Sequence, residues 1–232
     1  MATRTRTRLG LVGTVVAVLA LATACGRIQP GTTYTGEGTY YTSYPVGGDG
    51  GNCMRGGTAV VGVWYAAMND ADYEDARMCG GFVHVTGPNG SVAVQIVDRC
   101  PECAPGDIDL SPEAFDQIAP RIAGRVPISW QLFSPPWFGP LSFVVKDGAN
   151  QWWFAVQVRN HRNLVSSMEV LVGGQWLAMA RQPYDYFLVE GNVGAGPYTM
   201  RVTDIYGEQV AWSGITMSPG VVQPTTVQFG VH

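Results

Sequence analysis

Lysine is almost absent from this chain: Lys146 is the only one in 232 residues. Positive charge is scarce altogether, with 14 basic against 18 acidic groups and a formal charge of −4. Three of the basic groups, Arg4, Arg6 and Arg8, fall within residues 1–24, which contain no acidic residue. Without that stretch 11 basic groups face 18 acidic ones, a balance of −7. Such a surface excludes nucleic acid as a partner and disfavours avid binding to acidic polymers. Histidine is also rare and scattered, at His84, His161 and His232. Cys100-x-x-Cys103 has metal-ligand spacing, but no second Cys/His pair stands ready to complete a zinc site. No metal and no cofactor is expected.

A membrane-spanning run is missing too. The uncharged stretch 9–24, with Val15–Leu21 as its apolar part, is too short to cross comfortably at ~20 residues. Preceded by three arginines, it has the layout of a secretory signal over 1–24. Ala22-Thr23-Ala24 puts small residues where a signal peptidase cuts, directly before Cys25. Cys25-Gly26 also suits lipid attachment, which would tether an otherwise extracellular protein to the cell surface; a membrane role is expected only in that case.

Residues 25–37 are polar and rich in Gly and Thr, and read as a flexible leader. Short β-branched and aromatic runs then alternate with Gly, Pro, Asn and Asp. Strands are expected at Gly81–Val85, Val92–Val97 and Val126–Leu132, the first two joined by a hairpin at Pro88-Asn89-Gly90. Two helices are expected in this half. One follows Gly62 through Ala66-Ala67-Met68-Asn69, or else occupies the acidic stretch around Asp72. The other starts at Ser111 as cap with Pro112 first in the helix. Ser134-Pro135-Pro136 ends the pattern and marks a stiff linker over 134–138. Beyond it the chain reads as strands: Leu141–Val145, Trp153–Val158, Met168–Val172, Gln175–Met179, Tyr186–Glu190, Tyr198–Thr203, Glu208–Trp212 and Thr226–Phe229. Seven or eight short strands in so little chain indicate a β-sandwich.

Two constellations carry chemistry. Asp98 closes a strand of alternating apolar residues, so its carboxylate emerges at a rim. Asp109 lies between Ile108 and Leu110, whose burial turns it to the opposite, groove-facing side. A carboxylate in a partly dry groove beside other acids has a raised pKa and can act as a general acid. It can equally serve as a brace that accepts backbone N–H bonds, and the residues alone leave both roles open. Asp107 and Glu102, in a Pro/Gly loop, are expected in solvent. The second constellation is Trp152-Trp153. Neighbours on a regular strand face opposite ways, so both indoles share a face only if the strand begins, twists or bulges there. Trp137, Trp176 and Trp212 are assigned to linker packing or core. Four cysteines after Cys25 read as two disulfides, with three possible connectivities.

Thr39-Tyr40-Tyr41, Cys79-Gly80, Val97-Asp98-Arg99-Cys100-Pro101 and Asp107–Phe115 resemble the double-psi β-barrel domain of expansins. Gln151–His161 is similar to the matching stretch of the second domain of bacterial expansins. The resemblance runs in order from Gly38 to the C-terminus. It implies a mostly β protein: a six-stranded double-psi β-barrel at 38–133, then an immunoglobulin-like, cellulose-binding sandwich at 139–232. It implies a groove lined by Thr39, Asp98 and Asp109, with Asp109 the residue on which wall loosening depends most. It also implies an aromatic row of Trp152, Trp153 and Tyr184 with Lys146 beside it, and the pairs Cys53–Cys79 and Cys100–Cys103. Cys100 stands where several bacterial members place a groove aromatic, a departure that removes one sugar-stacking residue from the pattern.

The expected activity is therefore non-hydrolytic loosening of plant cell walls by a secreted monomer that binds cellulose and associated glucans. Inverting hydrolysis needs a second carboxylate across the sugar; the acidic stretch Asp70–Asp75 keeps that question open. The alternatives are an endoglucanase or peptidoglycan-cleaving lytic transglycosylase using Asp109, and a plain binding module on cellulose or on the producer's own envelope.

Overall fold

The computed structural model describes residues 28–42, 50–55, 64–136 and 139–232. The signal segment, Cys25 and Trp137 lie outside the described residues. Among those described, six strands of the first half close into a barrel: β1 (Tyr34–Tyr40), β2 (Trp64–Asn69), β3 (Phe82–Gly87), β4 (Gly90–Cys100), β5 (Ile108–Leu110) and β6 (Val126–Phe133), in the order β1-β5-β2-β4-β3-β6. The pairs β1/β5 and β2/β4 are parallel and the others antiparallel. One face of each strand fills the interior, with Met68, Val83, Val94, Ile96, Ile108 and Leu110 all at 0% exposure. Helix α2 (Pro112–Ile118) packs Ala114, Phe115 and Ile118 onto this core. It starts where the sequence indicates: the Ser111 hydroxyl accepts from the Ala114 amide, and Pro112 occupies a first-turn position with no N–H to satisfy. The hairpin β3/β4 also turns at Pro88-Asn89 as expected.

Several expectations are corrected. Residues 64–69 form β2 rather than a helix, and the helix occupies the alternative acidic stretch as α1 (Asp70–Tyr73). Two alanines and a methionine favour a helix locally, but β2 is sandwiched between β4 and β5 and gains two ladders of hydrogen bonds. Residues 28–37, expected to belong to a flexible leader, are in the fold. Ile28 is fully buried in the barrel core, its amide donates to Glu74, and β1 begins at Tyr34.

The second half consists of β7 (Ser142–Val145), β8 (Trp153–Arg159), β9 (Val165–Val172), β10 (Gln175–Arg181), β11 (Phe187–Glu190), β12 (Tyr198–Asp204), β13 (Gln209–Ile215) and β14 (Val222–Pro224). They pair in the order β13-β12-β9-β10-β11-β8-β7-β14. The corner is at β10/β11, which pair only through Ala180 with Leu188 and Arg181 with Phe187. The sheet folds over there. Phe154 of β8 then meets Tyr198 of β12 at 4.2 Å between ring centroids, although three strands separate them along the ladder. Thr226–Phe229 is not a strand; its Phe229 is nonetheless a core residue, and the last strand is β14, just before it.

The two halves meet in a buried polar seam. The Arg55 guanidinium forms a 2.6 Å ion pair with Asp185 and donates to the carbonyls of Cys79 and Val158. It also lies 2.8 Å from His161 Nε2. A guanidinium only donates, so Nε2 accepts and Nδ1–H is left to donate to the Asn163 carbonyl at 2.8 Å. Burial, with Arg55 beside it, pushes the His161 pKa well below its ordinary value and keeps the ring neutral. Gly80 permits this arrangement: a Cβ there would sit 2.3 Å from the Arg55 guanidinium carbon. Gln157 donates to the Cys53 carbonyl, and Asn52 and Tyr73 both donate to the carbonyl of Pro183.

Candidate functional site

The strand register assembles a groove on the outside of the barrel. Thr39 pairs with Asp109, Asp109 with Ala67, and Ala67 with Asp98, across the four adjacent strands β1, β5, β2 and β4. Residues so paired form one transverse row. The two aspartates stand on either side of Ala67, two strand spacings or roughly 10 Å apart at the backbone. Two residues along lies a second row of Glu37, Asp107, Asn69 and Cys100. Thr39, Asp109, Glu37, Asp107 and Cys100 line a cleft of about 600 Å³, with Glu102 and Arg125 at its mouth.

Asp109 is half-buried and accepts a 2.5 Å hydrogen bond from the Thr39 hydroxyl. Burial raises its pKa above the ordinary carboxylate value, the Thr39 bond lowers it, the Glu102 charge raises it, and Arg125 lowers it. The net direction is upward, so the carboxyl is a better proton donor at mildly acidic pH than a solvated one. Asp98 is differently placed. Its Oδ1 accepts from the amides of Asn52 at 2.6 Å and Arg99 at 2.8 Å, so it braces the loop that carries Asn52.

Asp107 is not in solvent, as its loop position suggested. It is buried, and its two oxygens accept from the amides of Glu37 and Ala104, which ties the 101–107 loop down beside β1. Gly106 makes that approach possible: its φ is +92°, and a Cβ there would lie 2.2 Å from the Thr35 carbonyl oxygen. Glu102 is exposed as expected. The nearby acids are engaged elsewhere. Asp70 pairs with Arg99, Glu74 with Arg77 and the Ile28 amide, and Asp72 accepts from Asn69 and the Gly106 amide. The cysteines form the disulfides Cys53–Cys79 and Cys100–Cys103, which removes the zinc alternative for the Cys-x-x-Cys motif.

In the sandwich, Asn150 decides how the indoles are presented. Its side-chain oxygen accepts from the amides of both Trp152 and Trp153, which puts Trp152 in a turn before β8 and makes Trp153 the first residue of the strand. The condition for the two rings to escape strict alternation is thus met: the strand begins there. Trp152 is 58% exposed and Trp153 is half-buried. Lys146 holds its ammonium 5.7 Å from the Tyr184 ring and 5.3 Å from that of Tyr186, within cation–π reach. Tyr184 is half-exposed and follows Pro183, the residue whose carbonyl is tied to the barrel. Trp176, assigned to core, is half-exposed under the Arg201 guanidinium, while Trp212 packs partly against the core.

Ala67, Arg125, Asn52 and the seam residues escaped the sequence reading. Taking 64–69 as a strand would have put Tyr65, Ala67 and Asn69 on one face and flagged the groove floor. No local signal marks Arg55, Gln157 or Asp185 as a seam, because the bonds that join them across it run between residues 28, 104 and 130 positions apart.

Three likenesses bear on this geometry. A family model described as lytic transglycolase matches residues 56–130. Expansin-YoaJ of Bacillus subtilis (strain 168) is 32% identical over 86% of the chain and 88% of that relative. Crystal structures of Clavibacter michiganensis expansin superpose over 87% of this chain and 100% of theirs. One, a mutant in complex with cellohexaose, has 36% identity and a TM-score of 0.81; the apo form has 35% and 0.78.

Proposed function

The chain belongs to the expansin family, and we propose that it is a secreted protein that binds cellulose and loosens plant cell walls without cutting glucan chains. Trp152 carries the reading. A 58% exposed indole, held out by a paired-amide clamp on a sandwich that already has its own core, gains burial only against a ligand. The axial C–H faces of a glucan are apolar, and each ring covered contributes on the order of 1–3 kcal/mol. Trp153, Tyr184 and Lys146 extend the platform, and Thr39, Asp109 and Asp98 work on chains held in the barrel groove. The crystallised relative's complex with cellohexaose supports a glucan as ligand. Loosening would follow from competition for stacked faces and hydroxyls, with the barrel running from Ile28 to 133, a linker at 134–138 and the binding sandwich at 139–232. Export through the 1–24 signal, with or without a lipid on Cys25, delivers it to the wall as a monomer.

A second reading has its own support. The raised Asp109 carboxyl could protonate a glycosidic oxygen, and residues 56–130 match the lytic transglycolase model. The engagement of Asp72 and Glu74 in structural bonds favours loosening over hydrolysis, because each is drawn away from the role of base. The test is a cellulose pull-down of wild type beside Trp152→Ala/Trp153→Ala, with reducing-sugar and muropeptide release and creep of heat-inactivated walls measured in parallel. Loss of retention by the double variant, creep without release, and loss of creep in Asp109→Asn support the proposal. Sugar or muropeptide release that Asp109→Asn abolishes overturns it in favour of an enzyme.

A further inference from the structure

Continuing the groove register past Asp109, away from the acidic row, reaches residues that nothing above has assigned. The next outward positions are Tyr41, just past the end of β1, and Tyr65 on β2, with Ser111 between them after β5. Backbone bonds hold this third row together: the Tyr41 amide donates to the Leu110 carbonyl at 3.0 Å, and the Ser111 amide to the Tyr65 carbonyl at 2.8 Å. The two tyrosine rings meet edge to face, with centroids 5.7 Å apart and planes at 79°. Both residues are half-buried, while Ser111 between them is small and fully buried. The interior positions alternate with them: Ala66 and Leu110 face the core, so Tyr65 and Tyr41 share the outer face with Ala67 and Thr39.

We infer that Tyr41 and Tyr65 form an aromatic shelf that stacks a pyranose ring of a glucan in the barrel groove, one row beyond Asp109. Two residues of strand place the shelf roughly 7 Å from the Thr39–Asp109 pair, so a chain lying on it presents a neighbouring sugar to the Asp109 carboxyl. The chemistry is complementary. An aromatic face takes the apolar C–H surface of a sugar, while Asp109 and Glu113, the latter close enough to Tyr65 to oppose its ionisation, take hydroxyls. The shelf would supply within the barrel the stacking contact that Cys100 cannot, its sulfur being committed to Cys103. This inference rests on the glucan-binding reading and adds to it a specificity element for unbranched chains with exposed ring faces.

The experiment is a cellohexaose titration of the full chain, followed by NMR signals of the Tyr41 and Tyr65 rings, the Asp109 amide and the Trp152 indole. It is paired with affinities of Tyr65→Ala and Tyr65→Phe in a Trp152→Ala/Trp153→Ala background. The expected result is that both tyrosine rings shift together with Asp109. Tyr65→Ala should then weaken binding about three- to tenfold, while Tyr65→Phe, which keeps the ring, stays within about twofold. Response at Trp152 or Asp109 with silent tyrosines overturns this inference alone. Equal loss in the Phe and Ala variants, with the Asp109 amide unmoved in both, overturns it as well. Silence at all four probes overturns both this inference and the glucan-binding reading.

Discussion

At the residue scale the groove turns on one hydrogen bond. The Thr39 hydroxyl stabilises the ionised form of Asp109, against burial, which favours the neutral acid. Thr39→Val should therefore move the Asp109 titration midpoint further up, as read by carboxyl NMR; a downward move would mean that the bond serves the protonated acid instead. The stability consequence has a definite sign. A carboxyl that holds its proton more tightly when folded contributes most at low pH, and the contribution is lost as pH rises through the folded midpoint. Asp109→Asn, which mimics the neutral acid, should fold normally and flatten that dependence. Asp109 was legible in the sequence because Ile108 and Leu110 force it outward. Thr39 was placed in the same groove only by the family resemblance; no local pattern shows their hydrogen bond, because Thr39 is 70 positions away and is brought alongside by a parallel pairing. Asp107 shows the converse: a Pro/Gly loop looks solvated until two amides are found pointing at its carboxylate.

At the scale of elements, the seam between barrel and sandwich holds a carboxylate between two arginines. Burial pushes Asp185 up to about 6, while Arg55 and Arg181 hold it down. Asp185→Ala leaves two guanidinium groups buried without their counter-ion. The expected cost is about 3–5 kcal/mol, visible as a melting temperature lowered by roughly 10 °C for a chain of this size. A loss too small to measure would show that water reaches the seam. His161 adds a pH signature. Its imidazole stays neutral when folded, so its contribution is present above ~6.5 and is lost as pH falls through that unfolded value. Asp185 has the opposite slope, its contribution fading as pH rises through about 6. In urea titrations, His161→Gln should therefore change more favourably than wild type on acidification from about pH 7 to about pH 5; identical slopes would sink the assignment. Elements were largely readable from alternation and turn residues. Besides Thr226–Phe229 and the start of β1, the exception was β2, which failed because two alanines and a methionine look helical until neighbours on both sides are known.

At the scale of the whole molecule, the proposed function separates charge from adhesion. The chain is acidic, and on that reading the platform around Trp152 holds cellulose by burying ring area, so retention should change less than about twofold between roughly 50 and 500 mM salt. Steep salt dependence would point to an ionic partner instead. The closed barrel and the folded-over sheet tie residues from distant parts of the chain to one surface. Asp98, on the same transverse row as Asp109, holds the Asn52 amide, and the Asn52 side chain holds the Pro183 carbonyl beside Tyr184. Asn52 thereby links the groove row to the platform, alongside Tyr73 and the Arg55 seam, and no local pattern marks it.

Sequence alone determined what is written in short-range chemistry. That covers the strands with alternating apolar residues, the capped helix at Ser111, an even set of cysteines for two disulfides, an acid forced outward between two core residues, and a pair of adjacent indoles. Only the tertiary structure decided which strands are neighbours, and with that the register of the row from Thr39 to Asp98, the Arg55–Asp185–His161 seam and the Tyr41–Tyr65 ring contact. The physical reason is that side-chain alternation records which way a residue faces, while hydrogen-bond register between strands far apart in the chain records what it faces, and only the first is a local property.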